Sequence, residues 1–154
     1  MRPSLSDTLM TIAFTVSERS TCSRRNNGAV IANARGVVLS TGYNGSLSGM
    51  EHCDHECDCM AVLGTGKIHE SRCPAHPENG CTIAVHAEAN AVYFAARNGV
   101  STEGAIIYCT TEPCVKCAEA IVQSGIAECF YDLEYRSHAG IELLQAAGVI
   151  VTKK

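Results

Sequence analysis

Apolar residues in this chain recur first at helical spacing and then at strand spacing, and the alternation repeats along its length. Leu9, Ile12, Ala13 and Val16 fall on one side of a helical repeat, which predicts a helix over residues 5–20 with Ser6 as its N-cap. Residues 28–32 and 37–41 are short β-branched runs, and Asn33-Ala34-Arg35-Gly36 between them supplies a hairpin turn. The period then lapses over residues 43–82, a stretch of Cys, His, Gly and Pro. It resumes with a helix over 85–97 closed by Asn98-Gly99, a strand over 105–110, a helix over 114–124 ended by Gly125, and a strand over 126–131. A helix over 139–147 and a strand over 149–152 complete the pattern. Helices separated by short strands imply one α/β domain over residues 1–154, in three α/β/α layers. Its central mixed sheet has five strands, with a hairpin at one end and parallel strands at the other. No internal repeat or low-complexity tract interrupts it.

Composition agrees with a single domain, since 154 residues with 46% hydrophobic content can bury one core. No apolar run reaches the length of a membrane span, and the first residues lack a basic-then-apolar export signal, so a cytoplasmic protein without a membrane partner is expected. A formal charge of −4 argues against broad nucleic-acid binding. It leaves room for a local phosphate site, for which Arg24 and Arg25 are candidates; the alternative is a solvated pair before a strand. Ten cysteines without an export signal point to metal ligation rather than disulfides.

Two short clusters carry the chemistry. His86-Ala87-Glu88 opens one apolar helix and Pro113-Cys114-Val115-Lys116-Cys117 opens another. Cys114 and Cys117 are spaced to share a helix face, Pro113 suits a helix entry, and the positive end of each helix favours thiolate. With His86 as a neutral imidazole they make three zinc ligands, which leaves an open position of the kind that marks a catalytic rather than a closed structural site. Glu88 is not a ligand but lies on the same first turn, placed to move protons. The order His-x-Glu then Pro-Cys-x-x-Cys is similar to that of zinc-dependent nucleobase deaminases.

The irregular segment holds Cys53, Cys57, Cys59, Cys73 and Cys81, with His52, His55, His69 and His76 interleaved. It has too few apolar residues for a core of its own, and a structural zinc would supply folding energy of about 10–16 kcal/mol by analogy with small zinc peptides. Its ligand supply would suffice for two further ions. Cys109 and Cys129 lie in predicted strands and read as small buried apolar residues.

The stretch from His86 to Ala91, the loop Gly42-Tyr43-Asn44-Gly45 and the run from Tyr108 to Cys117 together resemble the deoxycytidylate deaminases, within the cytidine and deoxycytidylate deaminase superfamily. Residues Phe94 to Gly99 and Gln123 to Ile126 extend the likeness over nearly the whole chain. The resemblance implies the cytidine-deaminase fold, hydrolysis of dCMP to dUMP and ammonia in support of thymidylate synthesis, and a homo-oligomer, often a hexamer. It also implies a second zinc at Cys22, Cys53 and His76. Its fourth ligand is Cys81 by likeness to bacterial relatives, because the acidic residue that some relatives use is replaced here by Ala84 or Val85; Cys57, Cys59 and Cys73 remain available for a further site. Substrate contacts are implied for Ala87, Arg24, Asn26, Thr110, Tyr131 and Tyr135. Gly42, Tyr43, Asn44 and Gly45 match a loop at which dCTP activates and dTTP inhibits. A deaminase of 5-substituted dCMP, a tRNA adenosine deaminase and a non-enzymatic zinc module are the alternatives. The acidic surface opposes the tRNA reading, and Glu88 opposes the zinc module.

Overall fold

The computed structural model describes residues 2–22, 25–50, 52 and 84–154. Arg24, Cys53, Cys57, Cys59, Cys73, His76 and Cys81, all expected to contribute to sites, lie outside the described residues.

Helix α1 runs over Leu5–Ser17, starting where the spacing predicts and ending three residues sooner. Its N-cap is Ser4 rather than Ser6: the Asp7 N–H donates to Ser4 Oγ at 3.1 Å. The C-terminal turn predicted through residue 20 is absent because the Ser20 hydroxyl donates to the carbonyl and side-chain oxygen of Asn44, at 3.0 and 2.7 Å. Strands β1 (Gly28–Ala32) and β2 (Val38–Tyr43) form the expected hairpin, and helix α2 follows over Ala87–Arg97. Strand β3 (Ile106–Thr111), helix α3 (Val115–Gln123), strand β4 (Glu128–Leu133), helix α4 (Ala139–Ala146) and strand β5 (Ile150–Lys153) complete the described elements. Strand β4 starts two residues later than expected. Ile126 belongs to the end of α3 instead, its N–H reaching back to the Ile121 carbonyl at 3.4 Å after Gly125 has turned the chain at φ 74°.

The sheet order is β2-β1-β3-β4-β5, antiparallel from β2 through β3 and parallel from β3 to β5. The expected mixed, five-stranded, three-layer α/β/α architecture is therefore present. On one face, Leu9, Met10 and Ala13 of α1 pack on Val30, Ala32 and Tyr108. The larger core lies on the other face, where Ala87 and Ala91 of α2, Ala118 and Ile121 of α3, and Ile141 and Leu144 of α4 meet Ala29, Ile31, Ile107 and Cys129. One glycine governs how closely α2 approaches. A Cβ on Gly42 would lie 2.2 Å from the Ala87 carbonyl oxygen and 2.4 Å from the Ala91 nitrogen, so α2 rests directly on the β2 backbone. No described helix is long and apolar enough to cross a membrane.

Candidate active site

The parallel strands deliver their C-terminal ends to one edge of the sheet, and open α/β sheets bind ligands at that edge. The loop after β3 carries Cys114, which caps α3, and places Cys117 in the helix's first turn. From the neighbouring helix, His86 caps α2 in extended conformation and Glu88 sits in the first turn. Two helix starts thus converge. His86 Nδ1 lies 3.4 Å from Cys114 Sγ and 3.3 Å from Cys117 Sγ, and the three ligand atoms fall within 4.8 Å of one another. Tetrahedral zinc with bonds of about 2.3 Å to sulfur and about 2.0 Å to nitrogen requires N···S separations of about 3.5 Å, so this donor set fits the ion closely.

The ionisation pattern fits as well. The hydrogen bond from Cys117, reinforced by His86, lowers the Cys114 thiol to about 3. Cys117 is pushed up by the same bond and by burial. A divalent cation favours thiolate at both sulfurs. Glu88 is 7% exposed, and the Cys117 thiol donates to its Oε2 at 3.6 Å. Burial holds the Glu88 carboxyl above its ordinary value. A carboxyl so held beside the three ligand atoms is suited to accept and release protons. Beneath it, Cys109 and Cys129 are 1% and 0% exposed, as small apolar residues would be, and burial raises the Cys109 thiol.

Other expected residues are distributed unevenly around this cluster. Ala87 is buried between the ligand helix and the sheet. Tyr131 stands opposite Cys109 in the β3–β4 register, on the metal-bearing face, and Tyr135 is half-buried with the Arg136 guanidinium 5.4 Å above its ring. Asn26 is exposed. Thr110 is buried, and its hydroxyl accepts from the Gly28 N–H at 3.0 Å. Strand alternation turns it toward α1 with Tyr108, away from the ligands, because Cys109 occupies the other face. Thr111, the next residue, shares the face of Cys109. Cys22 is buried.

Glu112, His138, Asn27 and Thr111, without a role in the sequence reading, are built into the surroundings. The Glu112 side chain, between Thr111 and Pro113, is wholly buried, accepting from the Tyr135 N–H at 3.2 Å and facing His138 Nδ1 at 2.9 Å. Asn27 Oδ1 accepts from the Thr111 hydroxyl at 2.8 Å. A carboxylate closing an apolar strand just before Pro-Cys was a legible signal; Asn27 gave none that distinguished it from Asn26.

Residues 3–133 match the family described as the cytidine and deoxycytidylate deaminase zinc-binding region. The chain belongs to this family. It is 38% identical to the deoxycytidylate deaminase of Enterobacteria phage T2 across 94% of this chain and 89% of that protein. Identity to the deoxycytidylate deaminase of Schizosaccharomyces pombe is 37%, over 96% of this chain but 43% of the yeast protein. The dCMP deaminase of cyanophage S-TIM5, solved in complex with dCMP and dUMP, has a TM-score of 0.78 at 30% identity, covering 100% of this chain and 99% of that one. A structure from a study of tRNA:A34 deaminases shares the fold alone, at a TM-score of 0.54 and 19% identity. Family and donor set together make the protein a hydrolytic deaminase of the zinc type.

Proposed function

We propose that this protein converts dCMP and water to dUMP and ammonia, and so supplies dUMP for thymidylate synthesis. The observation that carries the reading is the triangle of His86, Cys114 and Cys117 with the buried carboxyl of Glu88 beside it. The phage T2 deaminase, similar over nearly its whole length, supports the nucleotide, and so does the dCMP and dUMP held by the cyanophage enzyme. Zinc, when bound, supplies Lewis acidity at an open fourth position and brings the pKa of water there from about 15.7 to about 7. Glu88 takes the proton from that water and passes it to N3 of cytosine as the oxygen adds at C4. It then takes the remaining proton from the added oxygen, which becomes the carbonyl, and delivers it to the 4-amino group, which leaves as ammonia. The Ala87 N–H, in the first turn of α2, orients the base. Arg24, Asn26, Tyr131 and Tyr135 belong to the surrounding nucleotide site. Ammonia release from dCMP, 5-methyl-dCMP, deoxycytidine and tRNA adenosine tests the reading: dCMP is turned over fastest, and faster turnover of tRNA adenosine would end it.

A second, structural zinc is held by Cys22, Cys53, His76 and Cys81, with Cys57, Cys59 and Cys73 available to a further ion. The working enzyme is a homo-hexamer regulated by dCTP and dTTP. In support of regulation, a groove of about 620 Å³ borders the Gly42-to-Gly45 loop, lined by Tyr43, Gly45, Asn90, Tyr93 and Arg97 among others. Arg97 offers a charge for phosphate and Tyr93 a ring for a base. The Asn44 side chain is turned inward, which leaves its neighbours to meet the effector. A dCMP saturation curve that is sigmoidal alone and hyperbolic with dCTP supports this regulation; curves indifferent to both triphosphates refute it.

A further inference from the structure

The amide of Asn44 is 5% exposed and is hydrogen bonded to segments that no strand pairing joins. Its Oδ1 accepts from Ser20 Oγ at 2.7 Å and from the Asn27 N–H at 2.8 Å, while its Nδ2 donates to the Arg25 carbonyl at 2.7 Å. The backbone adds a bond from the Asn44 N–H to the Asn27 carbonyl at 3.2 Å. From Asn27 the connection continues to Thr111, whose hydroxyl donates to Asn27 Oδ1 at 2.8 Å.

Both ends of this strap lead to metal ligands. Gly45, next to Asn44, exchanges two backbone bonds with Val85, at 3.1 and 2.8 Å, and Val85 precedes His86. Thr111 opens the Thr111-Glu112-Pro113-Cys114 run. The strap therefore spans the two segments that deliver His86 and Cys114. It suspends Arg25-Asn26-Asn27 between them, with Arg25 and Asn26 exposed. Those three residues precede β1 and have no ladder of their own. An amide that accepts twice and donates once fixes their backbone more tightly than a hydroxyl could.

We infer that Asn44 is a positioning residue for the nucleotide, fixing the Arg25-to-Asn27 segment against the metal site so that Arg25 meets the phosphate while the base lies at Glu88. The inference rests on the dCMP reading and goes beyond it by naming what sets the phosphate contact. Pre-organisation of a binding segment acts on substrate affinity, and it acts on the part of the substrate that the segment touches.

The test uses the full chain, zinc-loaded, with Asn44→Ala, Thr111→Val and the double variant, assayed on dCMP and on deoxycytidine, which lacks the phosphate. Asn44→Ala raises KM for dCMP about tenfold or more, changes kcat by less than about threefold, and narrows the preference for dCMP over deoxycytidine. Zinc content stays at the wild-type value. Thr111→Val, near-isosteric in a buried strand position, shifts KM in the same direction by less, and the double variant is no worse than Asn44→Ala because both act through Asn27. A wild-type KM in Thr111→Val overturns the inference even if Asn44→Ala fails to fold. Equal losses on both substrates, or additive losses in the double variant, overturn it as well. A wild-type chain inert toward dCMP overturns the functional reading with it, whereas an active wild type with unshifted variants overturns this inference alone.

Discussion

Gly42→Ala tests how the catalytic helix is seated. The added Cβ would lie 2.2 Å from the Ala87 carbonyl oxygen and 2.4 Å from the Ala91 nitrogen, where ordinary contact is 3.4–4 Å. Both obstructing atoms are helix backbone and cannot rotate away, so α2 must lift from β2 by about 1 Å, carrying His86 and Glu88 with it. Overpacking of this kind costs about 1–3 kcal/mol of stability, equivalent to a Tm loss of about 2–12 °C in a domain of this size. The effect on chemistry is larger, since a misplacement of about 1 Å costs about 10²-fold in rate, or about 2.7 kcal/mol of barrier. The assay is kcat on dCMP at 20 °C, far below the melting transition, with zinc content measured in parallel and Tm followed by circular dichroism. Loss of kcat with dCTP both present and absent is the expected result. A variant with wild-type kcat and Tm would show that the close approach has no mechanical role. A variant that lost its dCTP response alone would assign Gly42 to the effector groove instead.

Glu88→Gln keeps zinc and fold but loses about 10²–10⁴-fold in kcat, because an amide cannot carry a proton; retention of more than about a tenth of wild-type turnover would refute the assigned role. Fully loaded protein holds at least two zinc ions per chain by elemental analysis, and Cys53→Ser removes one of them; a single equivalent in the wild type rules out the second site. The ring of His138, hydrogen bonded to the buried Glu112 carboxylate, is held above its ordinary value of 6.5. A raised folded value gives stability that is complete below the unfolded value and lost as pH climbs through the folded one. The Tm difference between wild type and His138→Asn is accordingly larger at pH 6 than at pH 9, and a pH-independent difference would contradict the pairing.

The helix and strand order was legible because three of the four described helices end in a recognisable way. Val100, Ile126 and Val149 each follow a glycine of positive φ, and each N–H returns to a carbonyl five residues back. The boundaries that slipped were those set from outside the element. Nothing near Ser20 says that its hydroxyl will bind Asn44, so α1 reads too long from its own periodicity. The metal cluster was legible because its chemistry is local, three residues in one case and five in the other. Thr110 and Thr111 illustrate the reverse: both are β-branched hydroxyl residues, and the strand register alone decides which of them faces the ligands.

The pairing of β1 with β3 has a consequence for how the molecule reaches its native state. Ala29 stands opposite Cys109, so forming this ladder closes a loop of about 80 residues, at an entropic cost of about 4 kcal/mol beyond the length-independent part. His86 lies inside that loop and Cys114 and Cys117 lie just past the strand that closes it. An ion bound by all three ties residue 86 to the start of α3, which shortens the stretch of chain that the ladder must close. Sheets built on such distant partners fold slowly. Refolding in the presence of zinc should therefore outpace refolding in chelator, and the metal would act on assembly before it acts on any substrate.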